Sequence, residues 1–254
     1  MWCISLSNNV IGITPLIAEG FFNPESQNVI KMRKKFEFFL IFILVIMGAS
    51  KSLAASKDQL VKGLSRRTIL DPESASKERV SFESLYADAK GPVIIKFLRR
   101  FGCLLCRDAA AGLCKLKPVL DEKYGKDNVK VFGIGLEELG YDEFKAGKYL
   151  SCGKIYIDEN HELFQICGFQ QIGFIEGIGK LLSSETRARY RESKEHGIDG
   201  DLRGEKKQVG GLIVVSPKGE LLYYFAQENY GHEPKNEDIL RVIDTYYQKK
   251  SSDL

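Results

Sequence analysis

The sequence predicts an α/β domain with a mixed central sheet flanked by helices, and three observations carry that prediction. Short apolar runs alternate with helix-period patterns between residues 92 and 167, the order expected of strands joined by helical crossovers. A strand hairpin and one amphipathic helix close the chain. Apolar residues make up 44% of the 254, with 15 Phe and 11 Tyr, enough to fill a real core. Charges nearly cancel, 37 basic against 34 acidic for a net +3, which argues against binding nucleic acid through bulk charge and against a highly charged disordered tail. Six Cys are too few for a small disulfide scaffold, and repeats are absent.

The first residues read differently from the rest. Residues 1–31 form an irregular N-terminal extension, punctuated by Pro15, Gly20 and Pro24. Residues 32–56 have the order of a signal peptide or signal anchor. A basic cluster, Lys31-Met-Arg-Lys-Lys35, precedes the apolar run Phe38–Met47 and the small residues Ser52-Leu-Ala-Ala-Ser56. The apolar run is about ten residues, short of the roughly 20 a spanning helix needs, so secretion with cleavage after Ala54 is expected and a membrane tether is the alternative. Residues 57–80, polar and mixed in charge, read as a linker with one short helix at most, and 81–250 as the folded domain.

Within that domain, Pro92–Leu98 is a continuous apolar run and predicts a buried strand. A helix follows from Cys103 to about Tyr124, with Leu113, Leu116 and Leu120 at helical spacing and Pro118 dividing it. Val129–Ile134 is the next strand, Tyr141–Tyr149 a helix, Lys154–Ile157 a third strand, and His161–Cys167 a short helix stopped by Gly168. Residues 171–208 are rich in charge and glycine and predict a helix near 180–194, then a surface loop. Gly211–Val215 and Leu221–Phe225 make the hairpin around Ser216-Pro-Lys-Gly219. Asn236 caps the last helix, whose apolar face is Ile239, Ile243, Tyr246 and Tyr247.

One constellation carries obvious chemistry. Cys103-Leu-Leu-Cys106 opens a helix directly after a strand, the context of the thioredoxin-like fold. The partial positive charge of a helix N-terminus, with Arg99, Arg100 and Arg107 nearby, stabilises a thiolate there, so Cys103 is expected to be a solvent-facing nucleophile with a lowered pKa. Cys106, more buried, would be the resolving thiol. Two other readings stay open: half of a zinc site, which lacks a second Cys or His pair, and an inert structural disulfide. Cys114, Cys152 and Cys167 are expected to be packing residues, and His161, His196 and His232 surface residues. Gly133-Ile-Gly135 with Gly140 misses dinucleotide-loop spacing and is expected to be a tight turn. Phe101, Leu104 and Leu105 either line an apolar groove or belong to the core.

Several stretches together resemble the peroxiredoxin-like 2 family: Phe101-Gly-Cys-Leu-Leu-Cys-Arg107, Gly133–Phe144, Ile155–Asp158 running to Cys167-Gly-Phe169, Gly200-Asp-Leu-Arg-Gly204 and Gly210–Val215. The resemblance covers most of residues 84–245. It implies a thioredoxin-like fold, Cys103 and Cys106 as the redox pair, and reduction of a lipid endoperoxide, that of prostaglandin H2 or its ethanolamide, to the F2α diol. From proximity to the cysteines, and not from the resemblance, substrate contacts would fall to Arg99, Arg100, Phe101 and Arg107. The resemblance also implies NADPH as reductant, with no binding site evident in the residues and a thioredoxin-type protein donor as the alternative. It suggests a cytosolic protein, whereas the leader suggests the secretory pathway. Where true peroxiredoxins carry a proline and a threonine ahead of the reactive cysteine, this chain has Lys96 and Arg100, so fast peroxidase activity is not expected. A general thiol–disulfide or hydroperoxide reductase, and a non-enzymatic module with a structural disulfide, are the competing functions.

Overall fold

A computed structural model describes residues 2–7, 10–15 and 59–252. The chain divides into two units, residues 1–53 and 54–254. In the first, β1 (Trp2–Ser7) and β2 (Val10–Pro15) pair antiparallel with Ser7 opposite Val10. The sequence predicts irregular chain here; two six-residue strands need only local β-formers such as Ile4, Ile11 and Ile13, and Pro15 stands at a strand end where no ladder bond is lost. The predicted signal segment, 32–56, lies outside the described residues, and no described helix is long and apolar enough to cross a membrane.

The second unit is a seven-stranded mixed sheet in the order β4-β3-β7-β6-β5-β8-β9. Its parallel centre is β5 (Val93–Leu98), β6 (Lys130–Gly135) and β7 (Lys154–Ile157). β8 (Gly211–Val215) runs antiparallel to β5, and β9 (Leu221–Ala226) forms a hairpin with it. The crossover from β5 to β6 holds α2 (Leu104–Cys114) and α3 (Lys117–Tyr124), split by Pro118 near the start of α3. α4 (Tyr141–Ala146) joins β6 to β7, α5 (Glu162–Ile166) follows β7, and α8 (Asn236–Ser252) closes the chain.

Every residue of β5 is buried, as its unbroken apolar run predicts. Its side chains alternate between two cores. Ile94 and Leu98 face the core under α2, α3 and α8, while Val93, Ile95 and Phe97 face the other. Lys96 shares the first face, where its buried ammonium pairs with Glu233. Burying each large apolar side chain contributes roughly 1.5–3 kcal/mol, so β5 anchors both layers.

Residues 57–80 are not a linker. Residues 59–65 form helix α1, and β3 (Thr68–Leu70) and β4 (Arg79–Ser81) extend the sheet. Val61, Leu64 and Ile69 are core residues. Elements of three to seven residues are too short for a periodicity to register, and the exposed Arg66 and Arg67 mask the buried positions. Gly133 and Gly135 lie inside β6, not in a tight turn. A side chain at Gly135 would run into the Phe101 ring, so glycine is needed there for close packing.

Residues 171–208 form an excursion closed at its base by a bridge between Gln171 and Gln208. It contains α6 (Phe174–Leu181) and α7 (Ser184–Glu195), where one helix was predicted. α7 docks on α2 through buried Asp108, which accepts hydrogen bonds from Ser193 Oγ and pairs with His196 Nδ1, each at 2.8 Å.

Candidate active site

The site lies at the carboxyl end of the central strand β5, where open α/β sheets carry their functional groups. The turn Arg99–Gly102 leads into Cys103, which is the N-cap of α2 with extended backbone angles, φ −72° and ψ 121°. An N-cap side chain normally accepts a hydrogen bond from the first helical turn through oxygen. Here sulfur does so: Cys103 Sγ accepts from the Cys106 backbone N–H at 3.4 Å. Arg99 Nη2 donates to the same sulfur at 2.8 Å.

These contacts divide the two thiols. The hydrogen bond from the Cys106 thiol holds Cys103 well below the ordinary cysteine range, aided by the charges of Arg99 and Arg100 and the Cys106 amide, against the opposing effect of burial. Cys106 is pushed well above it by that same hydrogen bond, by burial and by the negative charge on its neighbour. The pair is thus biased toward ionisation at Cys103 and retention of the proton at Cys106, the order a two-step thiol reduction requires.

The three arginines have distinct places. Arg99 is buried, with one side on Cys103 and the Tyr230 ring 4.3 Å from its guanidinium carbon on the other. Arg107 Nε donates to the Phe101 carbonyl at 2.8 Å and Nη1 to the Asp199 carbonyl at 2.7 Å, so its charge is spent on holding backbone. Arg100 donates through Nη1 to the Arg203 carbonyl at 2.8 Å, and its buried Nε has no partner among the described residues.

Two expectations change. Cys103 does not face solvent: it is 3% exposed, and Cys106 6%. The segment expected to be a surface loop covers them. Asp201 N–H donates to the Gly102 carbonyl at 2.7 Å, Gly200 lies against the Leu104 backbone, and Arg100 and Arg107 tie down Arg203 and Asp199. Phe101 is fully buried against Tyr141 and Phe144, and Leu104 and Leu105 are buried with it, so all three are core residues and none lines an open groove.

The sequence reading missed three features. Tyr230 lies more than 120 residues from the cysteines, and nothing local marks it. The 199–203 cover is missed because glycine and charge read as solvated loop. Cys114 and Cys152, expected to be packing residues, form a disulfide, with Cα atoms 5.3 Å apart. Cys167 stays a buried free thiol whose pKa burial raises, consistent with packing.

The glycine pattern around residues 133–140 does not fold as a dinucleotide loop. The glycines that would have to wrap a pyrophosphate are inside β6, and Phe101 fills the space beside Gly135. Gly140, with φ +82°, is the N-cap of α4 against the Gly102 backbone, but Asp142 and Glu143 in the first turn of that helix oppose a pyrophosphate there.

A strand, a helix-capping cysteine thiolate and a protonated partner one turn on define a thiol oxidoreductase of thioredoxin-like fold. Comparison with known proteins narrows this. Residues 112–229 match the family described as AhpC/TSA antioxidant enzyme. The prostamide/prostaglandin F synthase of Salmo salar is 36% identical over 173 residues, 68% of this chain and 83% of that protein. The human protein of the same name is 35% identical over 167 residues, 65% of this chain and 81% of its own length. A solved Xanthomonas campestris peroxiredoxin Q covers 73% of this chain and 94% of its own at 12% identity and a TM-score of 0.47. The chain belongs to the family of these synthases, the peroxiredoxin-like 2 family.

Proposed function

We propose that the protein reduces a lipid endoperoxide, of the type carried by prostaglandin H2 or its ethanolamide, to the corresponding diol. The observation that carries this reading is Cys103 Sγ held by Arg99 Nη2 and the α2 N-terminus one turn from Cys106, contacts that lower the pKa of Cys103 while that of Cys106 is raised. The relatives named as prostamide/prostaglandin F synthases supply the substrate class.

Cys103 Sγ attacks one oxygen of the weak O–O bond. A sulfur–oxygen bond forms, the O–O bond breaks, and the other oxygen leaves as an alkoxide that takes the Cys106 proton. Ionised Cys106 then attacks Cys103 Sγ, forming the disulfide and releasing the second alkoxide, which takes a proton from water. The dithiol supplies two electrons and both carbon–oxygen bonds survive, so their stereochemistry is retained. Arg100, whose buried Nε is free, is the arginine placed to receive the developing negative charge. The Asp199–Arg203 cover must lift for a lipid to reach the sulfurs.

A dithiol donor of thioredoxin type regenerates the pair, with NADPH as the more distant electron source. Lowering the Cys103 pKa stabilises the reduced form and makes the disulfide easier to reduce. The Cys114–Cys152 bond is of a kind that persists in oxidising compartments, the setting the leader also predicts.

The test is to incubate the reduced protein with prostaglandin H2 and, in parallel, with hydrogen peroxide. Diol formation coupled to loss of two thiols supports the reading. Equal or faster turnover of hydrogen peroxide would make it a general hydroperoxide reductase, and product that persists in Cys103→Ser would defeat both.

A further inference from the structure

We infer that Tyr230 is a positioning residue of the active site: its ring holds the Arg99 guanidinium against Cys103, and so sets how readily the nucleophile ionises. This deepens the reading above and rests on Cys103 being the reactive thiolate.

Arg99 is a buried cation in an unusual position. It forms no ion pair with a carboxylate among the described residues; its guanidinium donates to Cys103 Sγ at 2.8 Å, and the Cys106 sulfur is a second partner beside it. A buried guanidinium needs compensating negative charge on its exposed faces. The thiolate supplies it on one side, and the negative face of the Tyr230 ring, 4.3 Å from the guanidinium carbon, supplies it on the other. Without the ring, Arg99 is free to swing from the sulfur toward water, and Cys103 loses its charged donor.

The ring is itself held from outside the cysteine turn. Tyr230 Oη donates to the Lys206 carbonyl at 3.2 Å. Asn229 beside it donates through Nδ2 to Glu185 of α7 at 3.0 Å, and its Oδ1 accepts the Gly231 N–H at 2.9 Å. Two ties thus fix the turn after β9 on the excursion that covers the thiols, and the third closes the turn on itself. Tyr230 donates its hydroxyl to Lys206 and not to either sulfur, so its effect on them passes through Arg99.

The groups facing Cys103 are Arg99 and Arg100 from the preceding turn and Cys106 with its amide from α2. Tyr230 changes only the first. The experiment is a titration of thiolate ultraviolet absorbance in the reduced full-length protein, taken as the difference between each variant and the same variant carrying Cys103→Ser. Because it reads the sulfur directly, it does not depend on substrate or on access past the cover.

Tyr230→Leu is expected to raise the Cys103 midpoint by about one pH unit, a tenfold loss of thiolate on the acid limb. Tyr230→Phe, which keeps the ring, should stay within about twofold of wild type, and Tyr230→Met should match the leucine variant. In an Arg99→Leu background, Tyr230→Leu should add no further shift, a result that mere loosening of the fold would not give. A wild-type midpoint in both folded Tyr230→Leu and Tyr230→Met overturns the inference, as does a full shift that persists without Arg99. An ordinary cysteine midpoint in the wild type would bring down the functional reading as well, which distinguishes the two failures.

Discussion

Helix α2 carries a cysteine pair at each end, and the two ends have opposite chemistry. At its N-terminus, Cys103 and Cys106 are free thiols one turn apart, lying under the positive end of the helix dipole and beside Arg99. At its C-terminus, Cys114 is joined to Cys152 in the segment leading into β7, tying the helix to the neighbouring strand. Residues 103 and 114 are about 16 Å apart along the helix, too far for the pairs to exchange without unfolding. Both sulfurs accept a backbone N–H, Cys103 from Cys106 and Cys114 from Cys152, but only Cys103 also meets a guanidinium, and only Cys114 is crosslinked.

The comparison breaks most sharply by exchanging sulfur for oxygen at each end. Cys103→Ser should lower endoperoxide turnover by about a thousandfold or more, since a hydroxyl in that place is not ionised, yet lower the melting temperature less than loss of the crosslink does, because serine keeps the N-cap bond although Arg99 loses its anionic partner. Cys152→Ser should do the reverse. Releasing a loop of 38 residues costs about 3–4 kcal/mol, which lowers the melting temperature by roughly 8–15 °C, with turnover within about twofold of wild type. Calorimetry and a turnover assay on both variants test the division. If Cys152→Ser also loses most of its activity, the two ends are not independent.

The electrostatic part of the contrast is sharpened by pH. Because Cys103 titrates below the ordinary range, its alkylation by a small reagent should stay fast through neutral pH and fall only as the solution becomes acidic. Arg99→Leu should move that fall upward by about one to two pH units. A profile still at the wild-type position would mean that the helix terminus and Cys106 suffice alone. The smallest effect concerns the cover. Arg107→Met removes the bonds to the Phe101 and Asp199 carbonyls, and should cost about 1–2 kcal/mol in chemical denaturation while quickening alkylation of Cys103 a few-fold. Slower alkylation would show that Arg107 acts on the thiol itself.

The sheet was legible where elements are long or uniformly apolar. Val93–Leu98 reads as a buried strand because no solvated face interrupts it, and Pro118 marks the break between α2 and α3 because it has no N–H to donate. α1, β3 and β4 were not legible, since each is too short to show a period and gains its stability from neighbours distant in sequence. The same holds for the excursion at 171–208, whose helices are fixed by contacts such as Asp108 with Ser193.

The sequence by itself located the candidate pair, because a strand followed by Cys-x-x-Cys at a helix start fixes both the spacing of the sulfurs and the sign of the local field. Only the tertiary structure decided which arginine meets the thiolate, that Tyr230 backs it, that Cys114 meets Cys152, and that the thiols lie under a cover. Apart from the Arg99 contact, which spans four residues, those are contacts between segments 38 to more than 120 residues apart. Local pattern carries no information about such meetings, because packing of the sheet and its helices, not chain neighbourhood, brings the groups together.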